Sequence, residues 1–308
     1  MAQVQVQPRI RTNNKIRLSS GDRVFHFFND AYLLLALLIV LYPIIYIVSS
    51  SFSSPQAVAI GRVVLFPVDF SLRGYEAVFK HEGIVLGYTN TIFYTVVGTF
   101  VNVTMTVLAA YPLSRRRMPG KSIIMFLFTF TMIFSGGLIP TYILISRLKL
   151  INTRWVMIIP NAIGVFNMII CRTFFQTNIP EELVEAAQID GCDHIRFMFE
   201  MVLPLSKPIL AVIALYYSVG HWNAYFDAFI YLSNEKLFPL QIILREILVL
   251  NQIEQTTIMD PQIMEARQGM SDLLKYSLIV VSSAPFMFIY PFVSKHFVKG
   301  ALTGAIKG

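Results

Sequence analysis

The stretch Glu185–Pro204, EAAQIDGCDHIRFMFEMVLP, decides how this chain is read. It is a charged, helix-forming insert wedged between two long apolar runs, starting within a few residues of one and ending at the next. In a soluble domain a charged stretch is the rule, but here it is the exception. Hydrophobic residues make up 55% of the 308 and charged residues only 14%, against about 25% charged in an ordinary soluble protein. Uncharged runs long enough to span a bilayer recur on both sides of the insert. Lipid is therefore the expected solvent for most of the chain.

By length and lack of formal charge, six segments qualify as spans: Ala31–Ser50, Gly87–Tyr111, Ser122–Ile145, Trp155–Phe175, Pro208–Leu232 and Tyr276–Ser294. The fourth meets Arg172 early, and the fifth contains His221 and Asp227. Two shorter runs, Leu237–Leu244 and Ile247–Ile253, cannot cross ~30 Å of hydrocarbon at ~1.5 Å per residue and are read as packed or interfacial pieces of an outer loop. The first span is preceded by basic residues and followed by Ala57-Val58-Ala59, as a secretory signal would be. Its uncharged stretch outlasts the roughly 7–15 residues of a signal core, so an uncleaved anchor is expected.

The net charge of +7 reads first as topology. Arg9, Arg11, Lys15, Arg17 and Arg23 put the N-terminus in the cytoplasm by the positive-inside rule. Six crossings return Lys295, Lys299 and Lys307 to the same side. Arg115, Arg116, Arg117 and Lys121 follow the second span, and Arg172, Arg196 and Lys207 surround the insert, so most of the basic residues fall inside. Arg147, Lys149 and Arg154 dissent. The chain then divides into a cytoplasmic segment at 1–30, a membrane domain at 31–299 and a cytoplasmic tail at 300–308, with a hairpin at 180–204. The basic residues form no aromatic-interleaved stripe on a soluble module, which argues against nucleic acid as a partner.

The hairpin reads as two short helices. Pro180 suits a first helical position, and Glu181 and Glu182 favour the positive end of a helix. Gly191 stops it, because glycine takes the left-handed conformation just past a helix end. Asp193 can cap a second helix, which Pro204 would end. Ala186 and Ala187 are small enough for a partner's groove to come close, Leu183 and Ala187 share a face, and Glu185 offers a carboxylate to a basic partner residue. Two helices joined at a glycine also describe a DNA reader, but this hairpin lies too near the bilayer for duplex DNA. An amphipathic membrane-surface hairpin with no partner is the other reading.

The long outer loops, 51–86 and 233–275, could meet an extracytoplasmic partner or merely cap the bundle. Pro43, Pro112, Gly136-Gly137 with Pro140, Pro160, Pro285 and Pro291 interrupt the spans, tolerable only where protein or water satisfies the freed backbone groups. In the fifth span Gly220, Asn223 and Asp227 recur at helical spacing and are expected on one face. That makes them candidate pathway-lining residues, since an ionisable residue in a span is a functional candidate. For Asp227 a place at headgroup level or against a second subunit is the alternative.

Chemistry of other kinds finds no parts. Cys171 and Cys192 suggest free thiols on the reducing cytoplasmic side, and the five histidines show no zinc spacing. Gly120-Lys121-Ser122 ends like a phosphate loop, yet Arg115 stands where that motif needs its first glycine. No HExxH or GxSxG occurs, and Asn102-Val103-Thr104 is a glycosylation acceptor buried in a span. No catalytic residue, cofactor or metal site is expected.

The block Glu185-Ala186-Ala187, Gly191 six positions after the glutamate, and Leu203-Pro204 together resemble the EAA loop of permeases of carbohydrate-uptake ABC importers. The chain is similar to the shorter, maltose-importer-like permease of a pair, in the branch served by binding lipoproteins or periplasmic proteins. The resemblance extends to Ser135-Gly136-Gly137-Leu138-Ile139-Pro140-Thr141-Tyr142, to His221-Trp222-Asn223 running to Asp227, and to the tail from Lys299-Gly300 to Lys307-Gly308. Met201 and Cys192 depart from the isoleucine and alanine common there.

It implies an all-α integral membrane fold with six transmembrane helices and a cytoplasmic coupling hairpin between spans four and five. By the same analogy Glu185, Ala186, Ala187 and Gly191 form the coupling helix seated in an ATPase cleft, with Leu203 and Pro204 closing the motif. The implied partners are a longer sister permease, two ATPase subunits, an extracytoplasmic sugar-binding protein and the bilayer of the bacterial inner (cytoplasmic) membrane. The tail would reach toward the ATPase pair, and 233–275 would probe the binding protein. An ion-gradient-driven secondary transporter is the alternative, predicting buried carboxylate–base pairs and internal repeats. A membrane scaffold without coupling is a third class.

Overall fold

The computed structural model describes residues 19–253 and 268–288. Outside them lie Arg9, Arg11, Lys15 and Arg17, part of the second outer loop at 254–267, and Pro291, Lys295, Lys299, Lys307 and the tail 300–308. Among the described residues all regular structure is helical.

Helix α1 (Ser20–Ser51) opens on a capping box, in which Ser19 accepts from the Gly21 N–H and Asp22 accepts from the Ser19 N–H. Two short helices, α2 (Pro55–Ala59) and α3 (Arg73–Lys80), build the first outer loop, and α4 (Glu82–Ser114) follows. Next come α5 (Lys121–Ile133), α6 (Leu138–Arg147) and α7 (Val165–Asn178). The hairpin consists of α8 (Glu181–Ile189) and α9 (His194–Phe197), the latter running through a π-turn at Met198–Val202 into α10 (Leu203–Leu205). Beyond it lie α11 (Lys207–Trp222), α12 (Phe226–Tyr231), α13 (Leu240–Ile253) and α14 (268–288).

Among the described residues, α1 and α4 can each cross a membrane by length and composition. The count rises to four if two bent pairs, α5 with α6 and the 194–205 arm with α11, each make one span. The expected spans are therefore less regular than their hydropathy. Span three is broken at 134–137 and bent by 115°, where Gly137 takes φ 85° and ψ 175°, a conformation open almost only to glycine. Span four is a 3-10 turn at Arg154–Met157, an irregular stretch containing Pro160, and the 14-residue α7. Span five stops at Trp222, because Asn223 leaves helical geometry and its amide donates to the Val219 carbonyl at 2.9 Å. Hydropathy windows cannot see such breaks, because the broken stretches stay apolar. The two short loop runs are joined in a single helix, α13, which begins at Leu240 and whose Leu240, Ile242 and Ile243 are buried.

Helix α4 is the hub, packing against α11, α7 and α13. Its C-terminal half contributes Val107, Ala110 and Leu113 to a core with Met168, Cys171, Phe175 and Ile213. Its N-terminal half packs Tyr94 against Val156, Ala228, Tyr231 and Ile242. Cys171 is buried in that core and Cys192 half-buried in the hairpin, both as free thiols.

Buried polar side chains on α4 serve the irregular segments around it. The Asn90 amide donates to the carbonyls of Lys236 and Phe238 at 2.8 and 3.1 Å, and the Tyr94 hydroxyl to that of Leu237 at 2.8 Å. Thr91 accepts from the Leu240 N–H at 2.8 Å. Asn102 donates to the Asn161 carbonyl and faces His221 Nε2 at 2.6 Å. The dissenting basic residue Arg154 is tied to the same helix, with a nitrogen 3.2 Å from the Asn90 oxygen and its guanidinium 4.8 Å from the centre of the Phe93 ring.

Gly98 sets the spacing of α4 and α11, since a Cβ there would overlap the His221 imidazole. Gly98→Val is expected to destabilise the protein by about 1–3 kcal/mol, as overpacking of a tight core does. A thermal-shift measurement in detergent checks it; an unchanged midpoint would contradict this packing.

Candidate docking hairpin

Local chemistry shapes the hairpin from α8 onward. Pro180 is the residue before the helix, one position earlier than expected, with Glu181 and Glu182 in the first turn. At the far end Gly191 has φ 77°, its N–H bonds to the Gln188 carbonyl at 3.0 Å, and the Cys192 N–H bonds to the Ala187 carbonyl at 2.9 Å. That pair of bonds is a Schellman ending, which satisfies the last carbonyls of α8 and reverses the chain. Asp193 caps α9 as expected, accepting from the Arg196 N–H at 2.7 Å. The Gln188 amide and His194 Nε2, 3.3 Å apart, join the two arms.

Pro204 does not end the second helix. The helix continues through Leu205 and turns by 83° at Ser206 into α11. Pro204 has no N–H to give the Glu200 carbonyl, and just before it the backbone has already widened, the Leu203 N–H bonding Met198 five residues back.

The two faces of α8 differ. Leu183, Val184 and Ala187 pack on the core formed by α4, α7 and α11, as does Leu203 on the return arm. Ala187 therefore faces the chain's own bundle, while Glu185 and Ala186 face outward. Apolar side chains that the motif did not single out flank the turn: Ile189 is 86% exposed and Ile195 is bare, as is Phe199 further along the return arm. Exposed apolar residues clustered at a polar turn mark an interaction surface. Their sequence signal was available, since Ile189 and Ile195 flank the turn at Gly191.

Three arginines outside the motif complete the site. Glu185 accepts from Arg117 at 2.8 Å, so the carboxylate expected for a partner is held by the chain itself, in a pair that is largely exposed. Arg115 lies beside Glu181, and Arg172 donates to the Leu113 carbonyl at 2.9 Å. A cleft of about 340 Å³ opens between α8 and the 112–119 loop, lined by Met118, Glu181, Glu185 and His194 among others. Lys121 donates to the Arg115 carbonyl at 3.2 Å. Its pKa is held below the ordinary lysine value, first by burial and then by the charges of Arg172 and Arg115.

The candidate pathway residues do not form one stripe. Gly220 and Asn223 belong to α11 and its end and are exposed, whereas Asp227 starts the separate helix α12 and accepts from the Asn161 amide at 3.0 Å. The break at Asn223 undoes the helical spacing. It brings Asp227 instead to the irregular 158–164 stretch, whose backbone α4 already holds through Asn102.

A family model described as "Binding-protein-dependent transport system inner membrane component" matches residues 81–302. The chain is 39% identical over 287 residues to the polygalacturonan/rhamnogalacturonan transport system permease protein YtcP of Bacillus subtilis (strain 168), covering 93% of this chain and 99% of that protein. It is also 39% identical over 290 residues to Protein LplC of the same organism, covering 94% and 97%. Among solved structures it is similar to a chain of a bacterial ABC transporter involved in the import of the acidic polysaccharide alginate. There the TM-score is 0.83 and the identity 35%, with 91% of this chain and 99% of that one covered.

In Gly191→Val the left-handed conformation would cost about 1–2 kcal/mol, although open space surrounds the position. Hydrogen exchange over 185–193 should accelerate roughly in proportion, with membrane insertion unchanged. Equal protection in both proteins would contradict this account of the turn.

Proposed function

The chain belongs to the family of binding-protein-dependent transport system inner membrane components, and we propose that it is the shorter, maltose-importer-like permease of a pair, crossing the bilayer six times with both termini in the cytoplasm. It is a permease subunit of a carbohydrate-uptake ABC importer, coupled to an ATPase and not itself an enzyme. The six crossings would be α1, α4, α5 with α6, the stretch through α7, α11 with α12, and α14. The positive-inside balance of Arg23, Arg115, Arg116, Arg117 and Arg172 supports this orientation.

The observation that carries the coupling role is the hairpin itself: a capped, glycine-ended turn flanked by bare Ile189 and Ile195, with Phe199 bare further along the return arm, based on the central bundle. Glu185, Ala186 and Gly191 would seat in a cleft of the ATPase, while Ala187 and Leu203 hold the hairpin to the bundle and Pro204 closes the motif on the exposed side of the return arm. Closure of the ATPase pair on ATP would then shift the pathway between inward-open and outward-open populations. Such a shift requires the closed ATPase to favour one pathway conformation energetically. A longer sister permease would supply the other half of the pathway, and an extracytoplasmic sugar-binding protein would deliver cargo to the outer loops. Asp227 and Asn223, with Gly220, would line this half where the helix breaks.

An acidic oligosaccharide is the cargo class we favour. The similar permease YtcP is named for polygalacturonan and rhamnogalacturonan, and the similar structure comes from an importer of the acidic polysaccharide alginate.

Glu185→Lys should leave insertion intact and reduce ATP-driven uptake in proteoliposomes to background, with less ATPase co-purifying. Normal uptake would contradict docking through α8. In the reconstituted importer, oligogalacturonate should compete for uptake and a neutral maltooligosaccharide should not; the reverse order would overturn the cargo assignment.

A further inference from the structure

Charge patterning assigns Arg115, Arg116 and Arg117 to one task, holding the loop after the second span in the cytoplasm. The structure separates them. Arg116 and Arg117 are exposed, and either serves topology from water. Arg115 is 7% exposed, although taking a guanidinium out of water is costly unless its hydrogen bonds are replaced. Its contacts come from three elements. Nε donates to the Ser114 hydroxyl at 2.9 Å at the end of α4, and Nη2 donates to the Phe175 carbonyl at 3.1 Å in the last turn of α7. Nη1 stands 3.7 Å from Glu181 in the first turn of α8, with no hydrogen bond of its own.

Arg172 makes the reciprocal tie. From α7 it donates to the Leu113 carbonyl, in the last turn of α4. Arg172 thus satisfies a carbonyl that α4 leaves without an intrahelical partner, while Arg115 adds a second donor to the Phe175 carbonyl, which also accepts from the Ile179 N–H at 3.3 Å, and each guanidinium sits at the negative end of the other's helix. A planar fork suits this bridging in a way a lysine ammonium does not.

We propose that Arg115 and Arg172 are positioning residues that strap the cytoplasmic ends of α4 and α7 to each other and, through Glu181, to the docking hairpin. Displacement of α8 then moves both helix ends as one body. The pair at Nη1 is left slightly open, and an approach of α8 by about an ångström would complete a charge-assisted bond. A closure of that size leaves the spacing of α4 and α8 essentially fixed, so the hairpin and both helix ends travel together. The inference rests on the hairpin being the ATPase contact, but the straps themselves are testable without it.

The test uses the full importer complex in liposomes, with Cys192 replaced by alanine and spin labels at Leu108→Cys in α4 and Glu182→Cys in α8. With both arginines present, the α4–α8 distance distribution should be narrow and should not change when ATP and vanadate are added. In R115Q/R172Q it should widen measurably at rest and should shift on nucleotide addition. Arg116→Gln should match the parent. Arg115→Lys, which keeps the charge but not the fork, should give an intermediate width and covers the case in which the double variant is not recovered. An unchanged distribution in the double variant or in R115K would overturn the proposal, as would a parent distance that itself shifts. Loss of membrane-inserted protein in every Arg115 variant would also overturn it, in favour of a folding role. Failure of the ATPase to co-purify with the parent would remove the docking reading alone, because the resting widths need no ATPase.

Discussion

Backbone that leaves a helix in an apolar setting has to find its hydrogen bonds in protein, because hydrocarbon offers none. That constraint organises this molecule around α4. Two irregular stretches, 158–164 and 232–239, lie against it, and each is met by polar side chains projecting from its otherwise greasy surface: Asn102 for the first, Asn90, Thr91 and Tyr94 for the second. A third contact runs through Thr106, whose hydroxyl meets that of Tyr217 at 2.7 Å, while Tyr217 accepts from the Gly164 N–H at 2.9 Å. Were α4 apolar along its whole length, the breaks beside it would be untenable. A long helix with polar side chains set into an apolar surface is what lets its neighbours be short and bent.

The same accounting applies at the C-terminal ends of α4 and α7. There Arg172 supplies a donor to the Leu113 carbonyl, and Arg115 a second donor to that of Phe175. The hairpin is built on that platform. Its first arm buries Leu183, Val184 and Ala187 against the bundle and leaves Ile189 and Glu185 outside. Its stability thus comes from the chain's own core, which leaves one edge and the tip exposed.

How much of this could be read in the residues depended on the range of the interaction. Gly191 and Asp193 announced themselves, because a helix stop and a cap are settled within five residues and only one backbone geometry suits each. The spans at α1 and α4 were equally plain. The breaks within spans three, four and five were not, since hydropathy measures the solvent a segment prefers and says nothing about whether its backbone is continuous. Asn223 decides one break through a bond to Val219, a local signal that an apolar window averages away. The separation of Arg115 from Arg116 and Arg117 was out of reach, because it depends on where Phe175 comes to rest, far along the chain. Motif spacing likewise grouped Ala186 with Ala187, whereas the turn of the helix sends them to opposite sides.

Helix α1 stands apart from this economy. Most of its apolar length is bare among the described residues; Tyr46 meets the Tyr276 ring edge-on, and Ser49 to Ser51 are buried, fastened to the segment before α4 by bonds from Ser49 to the Leu65 carbonyl and between Ser51 and Tyr75. Its first turns carry Asp22, Arg23 and Asp30, and the uncharged stretch from Ala31 is about as long as a bilayer of ordinary thickness requires. A rod held at one end meets a thinner membrane by tilting. There α1 can lean like a boom about that pin while the bundle around α4 keeps its shape.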